Sequence, residues 1–434
     1  MAKEQGAWFE QPGRFLDPGL VRELKRLREI GADEENEAVP VIVSFHREAE
    51  DSKREEVLNL CRDGSCNTVD GELKLLGGFH GKVRPGTLRE LSEREEVRRI
   101  YYDREVRAFL DVARKSSGVA DVQAQEGLTG KNVTIAVIDT GVYPHDDLMK
   151  PDSRIIAFAD LVNGREEPYD DQGHGTHCAG DAAGNGYRSE GLYAGPAAEA
   201  NIVGVKVLDA NGSGQLSTVI KGVEWCVENR EKYGIRILSL SLGAPAYESY
   251  RDDPLAQAAE VAWHHGIVVC AAAGNEGPYP GTISTPGFDP VIITVGAADD
   301  RNTVDRADDV KAPYSSRGPT IDLLVKPDVY APGTHIISLS VPGSPIEEQL
   351  PENMVNEHYI SLSGTSMATP FCAGVAALLL EANPRLSPND VKAILMHTAQ
   401  EMEGDQAGYL DVRPAVSLAK EYRNVQEATL GMKS

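Results

Sequence analysis

Three side chains in this sequence are of the types that together break an acyl bond. Asp139 closes the β-branched run Val133–Ile138 and leads into Thr140-Gly141. His174 stands in Gly173-His174-Gly175-Thr176-His177, and Ser366 in Gly364-Thr365-Ser366-Met367-Ala368-Thr369-Pro370. A serine hydroxyl is a weak nucleophile near neutral pH and needs a hydrogen-bonded base, for which imidazole is suited. The imidazole needs a carboxylate on its other nitrogen, to hold the tautomer and stabilise the imidazolium. An aspartate at the carboxyl end of a strand is well placed, because open α/β sheets build their sites there. A serine in the first turn of a helix gains from unpaired N–H groups and the helix dipole, which favour a developing oxyanion. Taken singly, each has a plainer reading: a turn aspartate, a structural histidine, an N-cap serine. Their joint occurrence in one order favours the catalytic one.

The elements that must carry these residues follow from the hydrophobic pattern. From Lys131 onward, the short apolar runs Val133–Ile138, Asn201–Val207, Ile235–Leu240, Ile267–Ala272 and Val291–Val295 alternate with helical stretches. The helical stretches include Leu216–Asn229, Leu255–His264 and Ser366–Glu381. Such alternation predicts an α/β fold, a mostly parallel sheet with helices on both faces. Ahead of it, Ala38–Tyr102 reads β-α-β-α-β, a small α+β unit with one strand pattern in Gly71–Lys82. Leu20, Val21, Leu24 and Leu27 predict a short helix over 17–30, followed by a polar linker. The expected division is an extension and linker (1–37), the small domain (38–110), the large domain (111–420) and a tail (421–434).

Composition narrows the function. The 434 residues carry 43 basic and 67 acidic side chains, a formal charge of −24. Residues 1–110 hold only 19 and 23 of these, so most of the excess lies in the large domain. That charge opposes nucleic acid, whose affinity depends on basic side chains. No run reaches the 18 or so apolar residues of a membrane span, so no membrane partner is expected. The first 14 residues lack the apolar core of a secretory leader, which predicts a cytoplasmic location. Six cysteines are too few for a disulfide scaffold; Cys61 and Cys66 lie close enough in sequence to pair but are expected as free thiols. Gly212–Ser217 lacks the third glycine of a dinucleotide loop, and the Ser366 segment lacks the Gly-x-Ser-x-Gly elbow of α/β-hydrolases.

Together, Val137-Ile138-Asp139-Thr140-Gly141, His174-Gly175-Thr176-His177 and Gly364-Thr365-Ser366-Met367-Ala368-Thr369-Pro370 resemble the subtilisin-like serine proteases, the subtilases. The spacings of 35 and 192 residues suit that family, and the resemblance spans roughly 115–420 and, more weakly, 38–110. It implies a serine endopeptidase that works through an acyl-enzyme on Ser366 and needs no cofactor for catalysis. The segment Ala271–Gly277 resembles the one whose asparagine joins the Ser366 N–H as oxyanion donor, which gives that role to Asn275. Gly212-Ser213-Gly214 and Ser241-Leu242-Gly243 resemble the strands that flank a substrate bound as an added strand. Ala272, Ala273 and Gly274 would wall the first specificity pocket, with Ser284 at its floor. Small uncharged walls favour a large apolar P1 residue, and Glu276 at the rim would also admit a basic one.

The 38–110 unit resembles the family's propeptide, an inhibitor and folding aid. The chain is then a self-processing zymogen, with Glu105–Leu110 in the active site and Leu110–Asp111 as the bond cleaved. The expected partners are polypeptide substrates and the chain's own propeptide. Asp147 matches a calcium-ligand position of the family, so a structural calcium is expected, although Gly184–Tyr193 departs from the loop that supplies the other ligands. The absent leader and the free thiols resemble the intracellular branch. His177 reads as a buried structural histidine, and Pro342–Tyr359 as an insertion, either a surface flap or a gate of the cleft. Two rivals are a silent peptide-binding relative, which the intact triad disfavours, and the carboxyl-type serine peptidases, which His174 disfavours.

Overall fold

The computed structural model describes residues 8–10, 15–29, 37–62, 67–103, 105–108, 117–301, 306–402 and 404–431. Helix α1 (Pro18–Glu29) starts where Asp17 Oδ1 accepts the amides of Gly19 and Leu20, at 2.5 and 3.2 Å. Strand β1 (Val39–Phe45), helix α2 (Asp51–Leu60), strands β2 (Thr68–Leu73) and β3 (Gly78–Val83), helix α3 (Pro85–Leu91) and strand β4 (Val97–Tyr102) follow. They form an antiparallel sheet in the order β2-β3-β1-β4. The run Gly71–Lys82 is therefore two strands rather than one. A 3₁₀ turn at Lys74–Leu76 ends on Gly77, whose φ of 60° reverses the chain at a cost that glycine alone avoids.

The extension is part of this unit's core. Leu20, Leu24 and Leu27 are buried with Val41, Val43, Leu88, Leu91 and Ile100. Phe15–Asp17 runs along β4, with Ile100 donating to Phe15 and accepting from Asp17. Asp17 Oδ2 also accepts the Tyr102 amide. One carboxylate thus caps α1 and closes the sheet edge, where unpaired backbone groups would otherwise face solvent.

Strand β5 (Glu105–Ala108) and helix α4 (Val119–Glu126) lead into the large unit. Its first half holds β6 (Thr134–Asp139), α5 (Asp146–Met149), β7 (Ile155–Asp160), α6 (His174–Ala183), β8 (Asn201–Lys206), β9 (Ser213–Gln215), α7 (Leu216–Glu228), α8 (Arg230–Tyr233), β10 (Ile235–Leu240) and β11 (Leu242–Gly243). Then come α9 (Pro254–His264), β12 (Val268–Ala272), β13 (Ile293–Asp299), β14 (Val310–Lys311), β15 (Val329–Pro332), β16 (Ile336–Leu339), α10 (Pro345–Gln349), β17 (Met354–Asn356) and β18 (Tyr359–Leu362). Helices α11 (Thr365–Ala382) and α12 (Pro388–Thr398), strand β19 (Gly408–Tyr409) and helix α13 (Val412–Gly431) complete it.

The main sheet runs β19-β15-β13-β12-β10-β6-β8-β7, all parallel, with β14 antiparallel beside β13. Successive strands go one way from β6 to β8 and the other way from β6 to β10. The carboxyl end of β6 is therefore a topological switch point, and Asp139 is its last residue. Helices α6 and α11 pack together, as do α7 and α9. Helix α11 is long and apolar enough to cross a membrane, but 89% of it is buried inside the fold, as befits a core helix. Helix α13 runs on past residue 420, while its core residues Val412, Ala415, Val416 and Ala419 all precede that position.

The two units cap each other's helices. Asp103 accepts Ser217 N at 2.8 Å and Ser217 Oγ, at the start of α7. Glu224, farther along α7, accepts Leu75 N at 2.9 Å, at the 3₁₀ turn of the small unit. Arg99 pairs with Glu248 and, at 3.5 Å, with Asp252, while Lys74 meets Glu228 at 2.8 Å. Basic groups of the small unit thus meet the acidic surface of the large one.

Asp17→Ala should cost the small unit about 1–2 kcal/mol, since it removes both a cap and a buried acceptor. Amide exchange at Leu20 and Tyr102 would report it, with exchange in β6–β13 unchanged.

Candidate active site

Asp139 ends β6 fully buried, and its Oδ1 accepts two donors: Thr140 N at 2.7 Å and His174 Nδ1, also at 2.7 Å. His174 opens α6, whose start is fixed by residues that sequence reasoning missed. Asp170 Oδ1 accepts Gln172 N and Gly173 N at 3.0 and 2.9 Å, and its Oδ2 accepts Thr176 N and Thr176 Oγ1 at 2.9 and 2.7 Å. Gln172 Oε1 takes the His174 amide at 2.9 Å. An aspartate four residues ahead of a glycine-flanked histidine was the available signal. Gly175 is required by contact rather than by φ: a Cβ there would lie 2.2 Å from the Gly141 carbonyl and 3.0 Å from Asp139 Cβ.

Ser366 lies in the first turn of α11. Pro370 has no N–H to give the Ser366 carbonyl four residues before it, so the helix leaves that oxygen open. Cys178 Sγ fills it at 3.4 Å and Ser241 Oγ at 2.8 Å. The same sulfur lies 3.8 and 4.0 Å from the two nitrogens of His174, so base and nucleophile segments share one neighbour. The Ser366 hydroxyl donates to the Ser241 carbonyl at 3.1 Å. Asn275 Oδ1 accepts Thr365 N and Thr365 Oγ1, both at 3.0 Å, which turns its amide N–H groups away from Thr365.

Burial is the largest single influence on His174 and works against an imidazolium, but the Asp139 charge and hydrogen bond, together with the neighbouring Cys178 sulfur, outweigh it and raise the His174 pKa well above its usual 6.5. Burial pushes the Cys178 thiol up to about 12, so Cys178 adds no charge beside the ring at neutral pH.

Comparison with known proteins agrees with this arrangement. Residues 130–420 match the model of the subtilase family of peptidases. The chain is 52% identical over 321 residues to serine protease AprX of Bacillus subtilis, spanning 72% of each chain. It is 36% identical over 289 residues to subtilisin Savinase of Lederbergia lenta, spanning 66% of this chain and 91% of that one. The chain belongs to the subtilase family. It is a serine-type endopeptidase. Its fold also matches fervidolysin of Fervidobacterium pennivorans, a keratinolytic enzyme related to subtilisin, with a TM-score of 0.69 at 22% identity, over 88% of this chain and 61% of that one.

In this subtilase, β5 lies between β9 and β11, antiparallel to both. Val106 faces Gly214, Arg107 faces both Ser213 and Gly243, and Ala108 faces Leu242. Gly212 is not in the strand; it sits in the preceding turn with φ 72°. Ser241 precedes β11 and turns its carbonyl to Ser366. The bond Leu110–Asp111 lies outside the described residues.

A cavity of ≈580 Å³ opens beside Gly243, lined among others by Glu276, Thr282, Ile283, Ser284 and Ile321. Gly274 stands at φ 109°, and a Cβ there would strike Ser284 Oγ at 2.4 Å and Ser316 Oγ at 2.8 Å. Ala272 and Ala273, the two residues before it, are buried at and just after the end of β12. Ala272 pairs with Val295 in the sheet, and Ala273 packs with Ala256, Ile283 and Phe288. A larger cleft of ≈1140 Å³, between Pro278, Arg317 and Asp405, lies away from the triad.

The calcium expectation at Asp147 does not fit its surroundings. Asp147 Oδ2 accepts the Tyr359 hydroxyl at 2.7 Å and Oδ1 accepts Arg188 N at 3.0 Å. Its carbonyl accepts the buried Arg154 guanidinium, which also donates to Ala183 and Ala200 at 2.6 and 3.0 Å. Arginine supplies the positive charge that a cation would bring there. Tyr359 closes the inserted segment, and Ile346 within it donates to the Gln172 carbonyl at 3.4 Å. The insertion thus braces the loop ahead of His174. His177 is structural, bonded to Asp181 Oδ2 at 3.0 Å and the Ile360 carbonyl at 3.3 Å.

Tyr359→Phe should lower stability by about 1–3 kcal/mol by stripping a donor from a buried carboxylate. Urea melts with and without added calcium check this, and calcium should not restore the loss.

Proposed function

We propose that this subtilase is made as a self-inhibited zymogen, with Ser366 as nucleophile, His174 as general base and acid, and Asp139 as the residue that orients His174. The 2.7 Å bond from His174 Nδ1 to Asp139 carries the reading, because it commits the other ring nitrogen to proton transfer. The Ser366 hydroxyl leaves the Ser241 carbonyl, passes its proton to His174 and attacks the scissile carbonyl. Ser366 N–H, which has no acceptor among the described residues, and the Asn275 amide receive the oxyanion. His174 returns the proton to the departing amine, and water then resolves the acyl-enzyme.

The place of β5 in the substrate groove supports the inhibitory role of the small unit. Counting on from Ala108 opposite Leu242 brings the register to Ser241, which holds the nucleophile. Self-cleavage should therefore fall at Leu110–Asp111 or one residue earlier. The cavity beside Gly243, with Ile283 and Ile321 in its lining, supports a large apolar P1 residue. Glu276 on the same lining leaves a basic residue as the second candidate. A reducing, cytoplasmic setting is supported by Cys178, Cys226, Cys270 and Cys372, all buried free thiols.

A fluorophosphonate should label wild type at Ser366, and Ser366→Ala should stay full length in intact mass spectrometry while wild type loses about 110 residues. A mature chain that starts far from residue 110 or 111 would refute the boundary. Only neutral His174 can accept the proton, so kcat/KM should fall as pH drops through the raised pKa, with the acid limb centred above 6.5. Asp139→Asn should move that limb down and reduce kcat on the order of 10⁴-fold, read from pH–rate profiles. Comparing Phe, Leu and Arg at P1 decides the pocket's preference.

A further inference from the structure

We propose that an exposed apolar ledge beside the specificity cavity takes up apolar stretches of unfolded polypeptide and so selects unfolded chains as substrates. The ledge is made of Ile321, Leu323 and Val325, with Tyr279 on the neighbouring loop. The proposal rests on the endopeptidase reading above and deepens it by naming the substrate class and the residues that recognise it.

These four side chains are 51%, 80%, 54% and 73% exposed, in that order, and none has a share in the core. A cluster of large apolar groups held in water is uncommon on a folded surface and marks a place of contact. The two loops are joined: Gly281 N and Thr282 N both donate to the Arg317 carbonyl, at 2.9 and 3.0 Å. Ile321 lines the ≈580 Å³ cavity, and Val325 lines the ≈1140 Å³ cleft beyond it. The ledge is thus continuous with the cavity proposed for the P1 side chain.

The loop is built to hold this shape. Thr320 N donates to the Leu324 carbonyl, Leu323 N to the Thr320 carbonyl, both at 2.9 Å, and Leu324 N to Thr320 Oγ1 at 3.2 Å. Asp322 Oδ2 accepts Tyr250 N at 3.1 Å, which ties the tip to the loop that follows β11. Leu323 itself has φ 60°, a left-handed conformation in which a leucine is strained and glycine or asparagine sits easily. Neither its backbone nor its side chain is favourable in the free protein, so folding gives no reason for leucine there. Contact with an apolar partner does. The occupant is the substrate chain itself, and the ledge stays open while β5 fills the groove.

Leu323→Asn tests this, because asparagine relieves the strain and removes the apolar group. The expected result is an unchanged or higher Tm and an unchanged kcat/KM on a short chromogenic peptide. On reduced, carboxymethylated α-lactalbumin, kcat/KM should fall roughly three- to tenfold, mainly through KM. Tyr279→Ser should repeat the pattern. Equal losses on both substrates, or none on the unfolded protein, overturn the proposal. So does a wild-type dimer, seen by sedimentation, that Leu323→Asn dissociates, for the ledge would then bind a second copy. Wild type that cleaves neither substrate and takes no fluorophosphonate label would instead bring down the endopeptidase reading beneath it.

Discussion

A single short bond between two buried side chains sets the terms for the rest of this structure. Asp139 and His174 are both out of solvent and meet at 2.7 Å, so the carboxylate must be satisfied by protein groups alone. Thr140 N supplies one donor and the imidazole the other, both on the same oxygen, while Asp139 Oδ2 has no partner among the described residues. A charge so poorly solvated binds a positive neighbour strongly, which is why the imidazolium is favoured despite its burial. The strand end, the glycine contact and the cap at Asp170 all hold that pair in register.

The nucleophile is placed by a different device, a defect in a helix. Pro370 removes one rung from the first turn of α11, and the liberated carbonyl is taken by groups from α6 and from the residue before β11. The Ser366 segment is thereby tied to the helix that carries the base and to the strand that would hold substrate. Three elements distant in sequence meet at one peptide oxygen. Displacing any one of them disturbs the other two.

How much of this was legible depends on sequence distance. The triad was readable because each member sits in a local pattern that its own chemistry demands: a strand end, glycines around a helix start, a serine before an apolar helix. Residues that work by long-range pairing were not. Tyr359 satisfies Asp147 from 212 positions away, and no local signal announces it. The reading of Asp147 as a cation ligand failed for that reason. Within the small unit, one strand pattern split into β2 and β3 because the reversal at Gly77 lies inside a run of otherwise strand-like residues. The role of 15–29 was also hidden, since Asp17 acts through the Tyr102 amide, 85 residues on.

Cys178 has a consequence outside the chemistry of peptide bonds. Peroxides and alkylating agents react with the ionised form of sulfur, and burial pushes the Cys178 thiol away from that form. A sulfur atom pressed against the catalytic ring would ordinarily be a point of oxidative damage. Here burial disfavours the thiolate, which lowers the reactivity of the cysteine the enzyme carries at its most sensitive position.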